Sequence, residues 1–390
     1  MASVFDYLNQ QGQEPLTRLG LNEVDILLLT EATYMMSQHT TRDLPEPYTL
    51  RAFYDHLQAH YPYFSKQNPF LITENRLKTL NLLAQSLRYG QLELEHLEEV
   101  IDSRAQLQFS AVTYWLDANC RLIVYKGTDD TLVGWKEDFN LSYQAVIPAQ
   151  LEALAYFTDR YDHDQEGEVD YILSGHSKGG NLAVYAGMEA EFKQWARFKA
   201  IYSFDAPGFQ KDTLNRWTRS VPPAGRIHQY MPQNAVVGQI LYPLTQPQVV
   251  ESTAFRLLQH DTLTWLVDQD RLSKLQTTSP ESDFARASMA AWMEETSPAN
   301  RHAFFSLFFK LLDQCGLHSL NDLSGHYGSF ITAFLDRLHQ LPSDQRQILA
   351  TNIEFFMTHY RSQAVQHRRF KQREFFDRLV QGVRDIRLLK

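Results

Sequence analysis

Hydrophobic and polar positions alternate in a pattern that predicts strands followed by helices over the middle of the chain. Short runs of β-branched and aromatic residues are each followed by turn residues or a stretch of helical spacing. The predicted strands are residues 109–116, 121–125, 169–173, 200–204, 226–231 and 248–252. Because strands that alternate with helices form parallel sheets, we predict an α/β protein with a mostly parallel central sheet flanked by helices on both faces.

Helical spacing dominates on both sides of this region. Apolar residues at 22–32 recur at helical intervals behind Asn22, which is a suitable cap. The pattern predicts further helices at 74–90 and 92–101, and helices from about residue 280 to the end. We therefore predict two parts, an α/β domain at 1–280 with a helical N-terminal part at 1–105, and a C-terminal helical extension at 281–390.

Proline and aromatic residues are concentrated between residues 44 and 69. Such a stretch is typical of a lid or wall over an apolar pocket, and equally of an irregular connection packed on the core. Residues 44–70 are therefore a candidate lid.

Composition narrows the class of protein. The 390 residues are 44% hydrophobic and 13% aromatic, which is typical of a globular chain, and a net charge of −9 argues against a general nucleic-acid binder. Two cysteines form no disulfide framework and no cysteine-rich metal site. The sequence has neither a signal-peptide pattern nor a membrane-spanning run, so we expect a cytoplasmic protein. It carries no signal for an oligomeric state.

The last segment, 359–390, is basic. A basic amphipathic end can dock on an anionic membrane surface or an acidic partner. A solvated helix face is the preferred interpretation.

One short stretch carries the candidate chemistry. An apolar run at 169–173 leads into Gly175-His176-Ser177-Lys178-Gly179, and helical residues begin directly afterwards. This is the G-x-S-x-G nucleophile-elbow pattern, in which a serine stands on a sharp strand-to-helix turn within reach of a base. We therefore predict that Ser177 is a catalytic nucleophile rather than part of a connecting turn.

A serine nucleophile needs a base and a residue that orients the base. His260 follows the serine in the chain and lies after the last predicted strand, where this kind of site places its histidine. The orienting residue has two candidates. Asp205 ends the strand at 200–204, whereas Asn234 occupies the usual place of the acid after the next strand but is an amide. Asp205 is the first choice and Asn234 the alternative.

The same chemistry needs two N–H donors for a developing oxyanion. One donor should be the backbone N–H of Lys178, directly after the serine, and the other should come from the loop after an earlier strand. Gly127 and Thr128 occupy that loop.

Four motifs together resemble an uncharacterised bacterial, Gram-positive family of lipase-like α/β-hydrolases, a relative of the fungal-type class three lipases. They are Tyr125-Lys126-Gly127-Thr128, Gly175-His176-Ser177-Lys178-Gly179-Gly180, Phe204-Asp205-Ala206-Pro207-Gly208 and Gln259-His260-Asp261. The resemblance extends from about Asn22 to about Trp265. It implies an α/β-hydrolase fold and esterase or lipase-type activity, with Ser177 as nucleophile and His260 as base. Lys178 stands where those lipases have leucine, and Asn234 stands about where they have the acid.

These observations predict a serine hydrolase that cleaves acyl or lipid-like carboxylic esters through an acyl-enzyme, with no metal or organic cofactor. A thioesterase or acyltransferase would use the same residues with a different acyl donor or acceptor. A degenerate hydrolase kept as a binding or regulatory protein is the alternative from another class, and a membrane-surface adaptor is a third.

Overall fold

The chain folds into two compact units. The computed structural model describes residues 1–64, 73–129, 131–164, 169–190, 194, 196–217, 225–317 and 327–364. The first unit comprises Met1–Asp129 and Ala145–Arg286, and the second comprises Asp130–Gln144 and Ala287–Lys390. The domain division at 280/281 stays a prediction. The basic end beyond residue 364 lies outside the described residues.

Within the described residues, a nine-stranded sheet runs through the first unit in the order β12-β9-β8-β7-β6-β5-β4-β3-β2. Its strands are β2 Tyr48–Thr49, β3 Glu93–Asp102, β4 Leu107–Asp117, β5 Cys120–Tyr125, β6 Asp170–His176, β7 Phe198–Phe204, β8 Ile227–Pro232, β9 Gln248–Val250 and β12 Lys274–Leu275. Neighbouring strands from β5 to β9 pair in parallel, while the pairings from β2 to β5 and between β12 and β9 are antiparallel. The sheet is therefore mixed, and its parallel part contains the strand before Ser177.

The prediction of a helix at 92–101 was wrong, because this stretch is the long strand β3. Its leucine and glutamate residues are good helix formers, but the segment pairs with β4 from Glu93↔Trp115 to Asp102↔Leu107. Pairing along this length outweighs a helix propensity of a few tenths of a kcal/mol per residue. The strand extends the parallel part of the sheet by an antiparallel meander of β3, β4 and β5.

Helices cover the sheet as the alternation of the sequence predicts. In the first unit they are α1 Val4–Gln11, α2 Leu16–Leu19, α3 Glu23–Thr33, α4 Gln38–Thr41, α5 Leu50–His60, α6 Glu74–Gln85, α8 Pro148–His163, α9 Lys178–Glu189 and α10 Lys211–Trp217. Helix α3 is capped as predicted by Asn22, whose side chain accepts hydrogen bonds from Val24 N and Asp25 N. Its apolar residues are fully buried, so α3 is a core helix of this unit.

Residues 48–60 form regular structure within the candidate lid segment. Strand β2 pairs with β3, and α5 buries Leu50, Phe53 and Leu57 in the core. The irregular-connection alternative therefore does not describe this part. The lid at 44–70 stays a prediction, and residues 65–70 lie outside the described residues.

A small second sheet holds the segment that follows His260. Strand β10 Leu266–Asp268 pairs antiparallel with β1 Ala2–Ser3 on one side and with β11 Arg271–Leu272 on the other. Val267 and Leu272 are buried in the main core. The chain after His260 is thus fixed by pairing on both sides.

The second unit is helical in its described residues. Its helices are α7 Leu132–Asn140, α11 Pro280–Glu295, which begins in the first unit, α12 Pro298–Gln314, α13 Tyr327–Gln340 and α14 Ser343–Ala364. An aromatic core holds it, with Phe139 of α7 stacked on Phe305 at a centroid distance of 4.5 Å. Among the helices described here, none has the length and apolar character needed to cross a bilayer.

Candidate active site

Ser177 sits alone between β6 and α9 in a conformation that L-residues rarely adopt. Strand β6 ends at His176, α9 begins at Lys178, and Ser177 has φ 57° and ψ −132°. Its N–H donates to Phe204 O at 2.9 Å on the neighbouring strand. Backbone strain of this kind is retained where the surrounding structure enforces it, and it is concentrated at functional sites.

Glycines allow this turn to close. A Cβ on Gly179 would lie 2.1 Å from Tyr125 O, and a Cβ on Gly175 would lie 2.1 Å from the carbonyl carbon of Gly179. Backbone atoms cannot yield to such contacts. The two glycines are therefore required by the close approach of β5, β6 and the first turn of α9.

The structure brings three of the predicted site residues together. His260 Nε2 lies 3.2 Å from Ser177 Oγ, and His260 Nδ1 lies 2.6 Å from Asp205 Oδ2. Asp205 is 1% exposed at its side chain, whereas the imidazole of His260 is 28% exposed. This is the order of contacts that serine hydrolysis needs, because the base reaches the hydroxyl with one nitrogen and is oriented through the other.

Asp205 is held by the two strands beside it. It follows β7 directly with φ 40°, and its N–H donates to Tyr230 O at 2.8 Å. Its second oxygen, Oδ1, accepts the backbone N–H of Gly238 at 3.0 Å. The loop after β8, where an acid was sought in the sequence, therefore supplies an N–H donor to an acid from β7.

Asn234, the alternative orienting residue, is placed differently. Its backbone N–H donates to Gln259 Oε1 at 2.8 Å. Gln259 is buried, and its backbone carbonyl oxygen accepts a hydrogen bond from the indole N–H of Trp265 at 2.8 Å. Asn234 thus supports the segment that precedes His260, while the carboxylate on the imidazole is Asp205.

The candidate oxyanion residues flank the elbow. A Cβ on Gly127 would lie 2.7 Å from His176 O, so the loop at Gly127 and Thr128 runs directly beside β6, the strand that precedes Ser177. Lys178 is the first residue of α9, and the first N–H groups of a helix lie outside its internal hydrogen-bond ladder. The Lys178 side chain turns into the protein, where Nζ donates to Gln108 O at 2.7 Å and Gln108 Oε1 at 2.6 Å.

A buried polar cluster lies next to Ser177 and His260. Its members are Glu31, Tyr34, Arg76, His176 and Thr262. Glu31 Oε2 accepts from Arg76 Nε at 2.9 Å, and Glu31 Oε1 accepts from Thr262 Oγ1 at 2.7 Å. His176 Nδ1 lies 3.1 Å from Glu31 Oε1 and 3.2 Å from Tyr34 Oη. Sequence reasoning missed Glu31, Arg76 and Thr262, although a glutamate among the buried leucines of the helix at 22–32 was a usable signal.

Exposed leucines and a phenylalanine precede His260. Phe255, Leu257 and Leu258 are 66%, 60% and 72% exposed, and Arg256 between them has φ 56°. Large apolar side chains are seldom left exposed in a cluster unless something binds there. The cluster ends two residues before His260.

Comparison with known proteins gives one family match. A family model described as Mbeg1-like matches residues 83–310, more than half of the chain. No curated protein matches this chain. Among solved structures, the chain is similar to the native Rhizomucor miehei lipase propeptide complex at 14% identity and a TM-score of 0.31, and to M37 lipase at 11% identity and a TM-score of 0.32. Each match covers 55% of this chain and 68% of the other chain.

Proposed function

This chain belongs to the Mbeg1-like family, and from that premise we propose that it is a lipase-like ester hydrolase with an α/β-hydrolase fold. Ser177 is the nucleophile, His260 the base and Asp205 the residue that orients the base. The observation that carries the proposal is the continuous chain of contacts from Ser177 Oγ through His260 to Asp205 Oδ2, at 3.2 Å and 2.6 Å.

The proposed reaction follows from these contacts. Ser177 Oγ attacks the acyl carbonyl carbon while His260 Nε2 takes the hydroxyl proton, and Asp205 stabilises the imidazolium that forms. The backbone N–H groups of Lys178 and Thr128 stabilise the oxyanion. The imidazolium then protonates the leaving alcohol, and water, activated by the same histidine, hydrolyses the acyl-enzyme.

Lipid-like esters are the proposed substrates. The exposed side chains of Phe255, Leu257 and Leu258 lie in the segment that leads to the base, so an acyl chain near the serine would meet apolar surface. Transfer of a thioester acyl group would use the same three residues, and comparison of oxygen esters with thioesters distinguishes the two reactions.

The test is covalent labelling with a fluorophosphonate probe, combined with hydrolysis of p-nitrophenyl esters of short and long acyl chains. We expect labelling and turnover in the natural protein, and loss of both in Ser177→Ala. Ser103→Ala, a change at an exposed serine between β3 and β4, is the matched control and should behave like the natural protein. Folded natural protein that neither labels nor turns over would refute the hydrolase proposal and favour the binding-protein alternative.

A further inference from the structure

Glu31 is a buried carboxylate whose two oxygens are both engaged. It lies on α3 and is 1% exposed. Oε2 accepts from Arg76 Nε at 2.9 Å, while Oε1 is shared by Thr262 Oγ1 at 2.7 Å and His176 Nδ1 at 3.1 Å. A single oxygen atom therefore joins two segments that are far apart in the chain.

These two partners flank the proposed nucleophile and base. His176 is the residue before Ser177, and Thr262 lies two residues after His260. The rings of His176 and His260 are also in contact, with centroids 4.5 Å apart. The position of Glu31 Oε1 thus restrains both segments at the point where Ser177 and His260 must meet.

Charge makes these contacts strong. Burial alone would raise the pKa of Glu31, but the guanidinium of Arg76 and the contacts with His176 and Thr262 hold it well below its ordinary value. An ionised carboxylate only accepts hydrogen bonds, so Thr262 donates its hydroxyl and His176 donates Nδ1–H. Hydrogen bonds to a charged acceptor are roughly twice as strong as neutral ones.

We propose that Glu31 is a positioning residue for the Ser177–His260 pair, acting through Thr262 and His176. The inference rests on the proposed function. The Ser177–His260 distance of 3.2 Å is already at the long end of the range for proton transfer. A misplacement of about 1 Å can cost about 10²-fold in rate, so a loosened His260 segment would reduce turnover.

Thr262→Val tests the inference with the smallest change, because it removes one hydroxyl at nearly constant volume. Thr33→Val is its matched control, because Thr33, a residue of α3, is as fully buried as Thr262. The Thr33 hydroxyl contacts Leu29 O and Tyr114 Oη, outside the site. We expect Thr262→Val to lower kcat and the fluorophosphonate labelling rate about tenfold or more with KM little changed. Thr33→Val should retain the natural rates, and Thr262→Ser should restore them.

Glu31→Gln tests the carboxylate itself, with Asp25→Asn as its control. Asp25 is the other fully buried carboxylate of α3 and pairs with Arg88, so both changes remove half of a buried ion pair. Both changes should lower the free energy of unfolding, and only Glu31→Gln should lower the labelling rate of the folded fraction. Rates in Glu31→Gln and Thr262→Val that match those of their controls would overturn the inference.

A second readout separates this inference from the proposed function. His260 Nδ1 lies 2.6 Å from Asp205 Oδ2, and we expect a proton on this nitrogen to give a far-downfield proton NMR signal, which Asp205→Asn assigns by its loss. We expect the signal to shift or disappear in Thr262→Val and to persist in Thr33→Val, whether or not the protein turns over esters. A signal unchanged in Thr262→Val would refute positioning by Glu31. Absence of turnover with a displaced signal would refute only the hydrolase.

Discussion

Both carboxylate oxygens of Asp205 are in use, one on His260 Nδ1 and the other on Gly238 N–H. We therefore expect substitutions of Asp205 and of Asn234 to have different effects on kcat. Asp205→Asn keeps the shape of the side chain but loses the charge that we propose stabilises the imidazolium, and it should lower kcat by about 10⁴. Asn234→Ala should have little effect, because the Asn234 contact to Gln259 is made by the backbone.

The measurement is kcat and KM of both variants on one p-nitrophenyl ester. A large loss in Asn234→Ala together with retained activity in Asp205→Asn would reverse the assignment of the orienting residue.

We expect the stability of the folded protein to depend on pH because His176 is buried. Burial lowers its pKa by disfavouring the imidazolium; Glu31 opposes this shift, and His260 and Arg76 reinforce it. The unfolded chain therefore binds a proton below about pH 6.5 that the folded protein does not bind. The resulting stability is present above that pH and is lost as the pH falls through it.

We expect the free energy of unfolding to fall more steeply from about pH 7 to about pH 5 in the natural protein than in His176→Asn. Urea denaturation at a series of pH values measures both slopes. The groups around His176 are Glu31 and Tyr34 from the α3 region, Arg76 from α6 and His260 from the segment after β9, and all are present in both proteins. Parallel curves would contradict the expectation.

Among the elements, the segment 255–258 places exposed apolar side chains directly before His260, the proposed base. If acyl chains lie against it, Leu257→Ser with Leu258→Ser should raise KM for long-chain esters and leave short-chain esters unaffected, because only a long chain reaches this surface. Leu87→Ser is the control, since Leu87 is 65% exposed outside this segment.

Steady-state kinetics over a series of acyl lengths measures this effect. Equal changes in KM for every chain length, or a similar change in Leu87→Ser, would remove the support for lipid-like substrates.

The predicted elements are present where local pattern and tertiary pairing agree. The strand before Ser177, the helix after it and the helix capped by Asn22 were predicted from apolar periodicity and are present. Strand β3 was missed because its composition favours a helix, and only pairing with β4 makes it a strand. Local sequence does not contain that pairing.

In the candidate site, too, some residues are marked by the local sequence and others are defined only by packing. Ser177 is marked by a local motif, and His260 and Asp205 by their places after predicted strands. The local sequence marks Glu31 only as a glutamate among leucines. Its contacts with Thr262 and Arg76 depend on how α3, α6 and the segment after His260 pack, so the local sequence does not specify these partners.

Each of the two units has its own apolar core among the described residues. We therefore expect a core truncation to destabilise the unit that contains it. Phe305→Ala in the second unit and Phe53→Ala in the first are matched, because both remove a buried phenylalanine at a cost of about 3–5 kcal/mol.

Hydrogen exchange with peptide resolution measures the effect. Phe305→Ala should speed exchange in α12 and in α7, which stacks on it through Phe139, and leave β5 to β8 protected. Phe53→Ala should do the opposite. Uniform acceleration over the whole chain in either variant would show that the two units unfold together.

The hydrogen bond between Glu31 and Thr262 joins residues 231 positions apart. Contacts across so long a loop form late, because the entropy of closing the loop must be overcome before the contact stabilises anything. During synthesis, α3 leaves the ribosome long before Thr262 is made. Glu31 can pair with Arg76 first, but the hydrogen bond from Thr262 can form only after the far end of the unit has been synthesised. When the denatured protein refolds, we therefore expect helix content to return early and the proposed reactivity of Ser177 to return among the last properties.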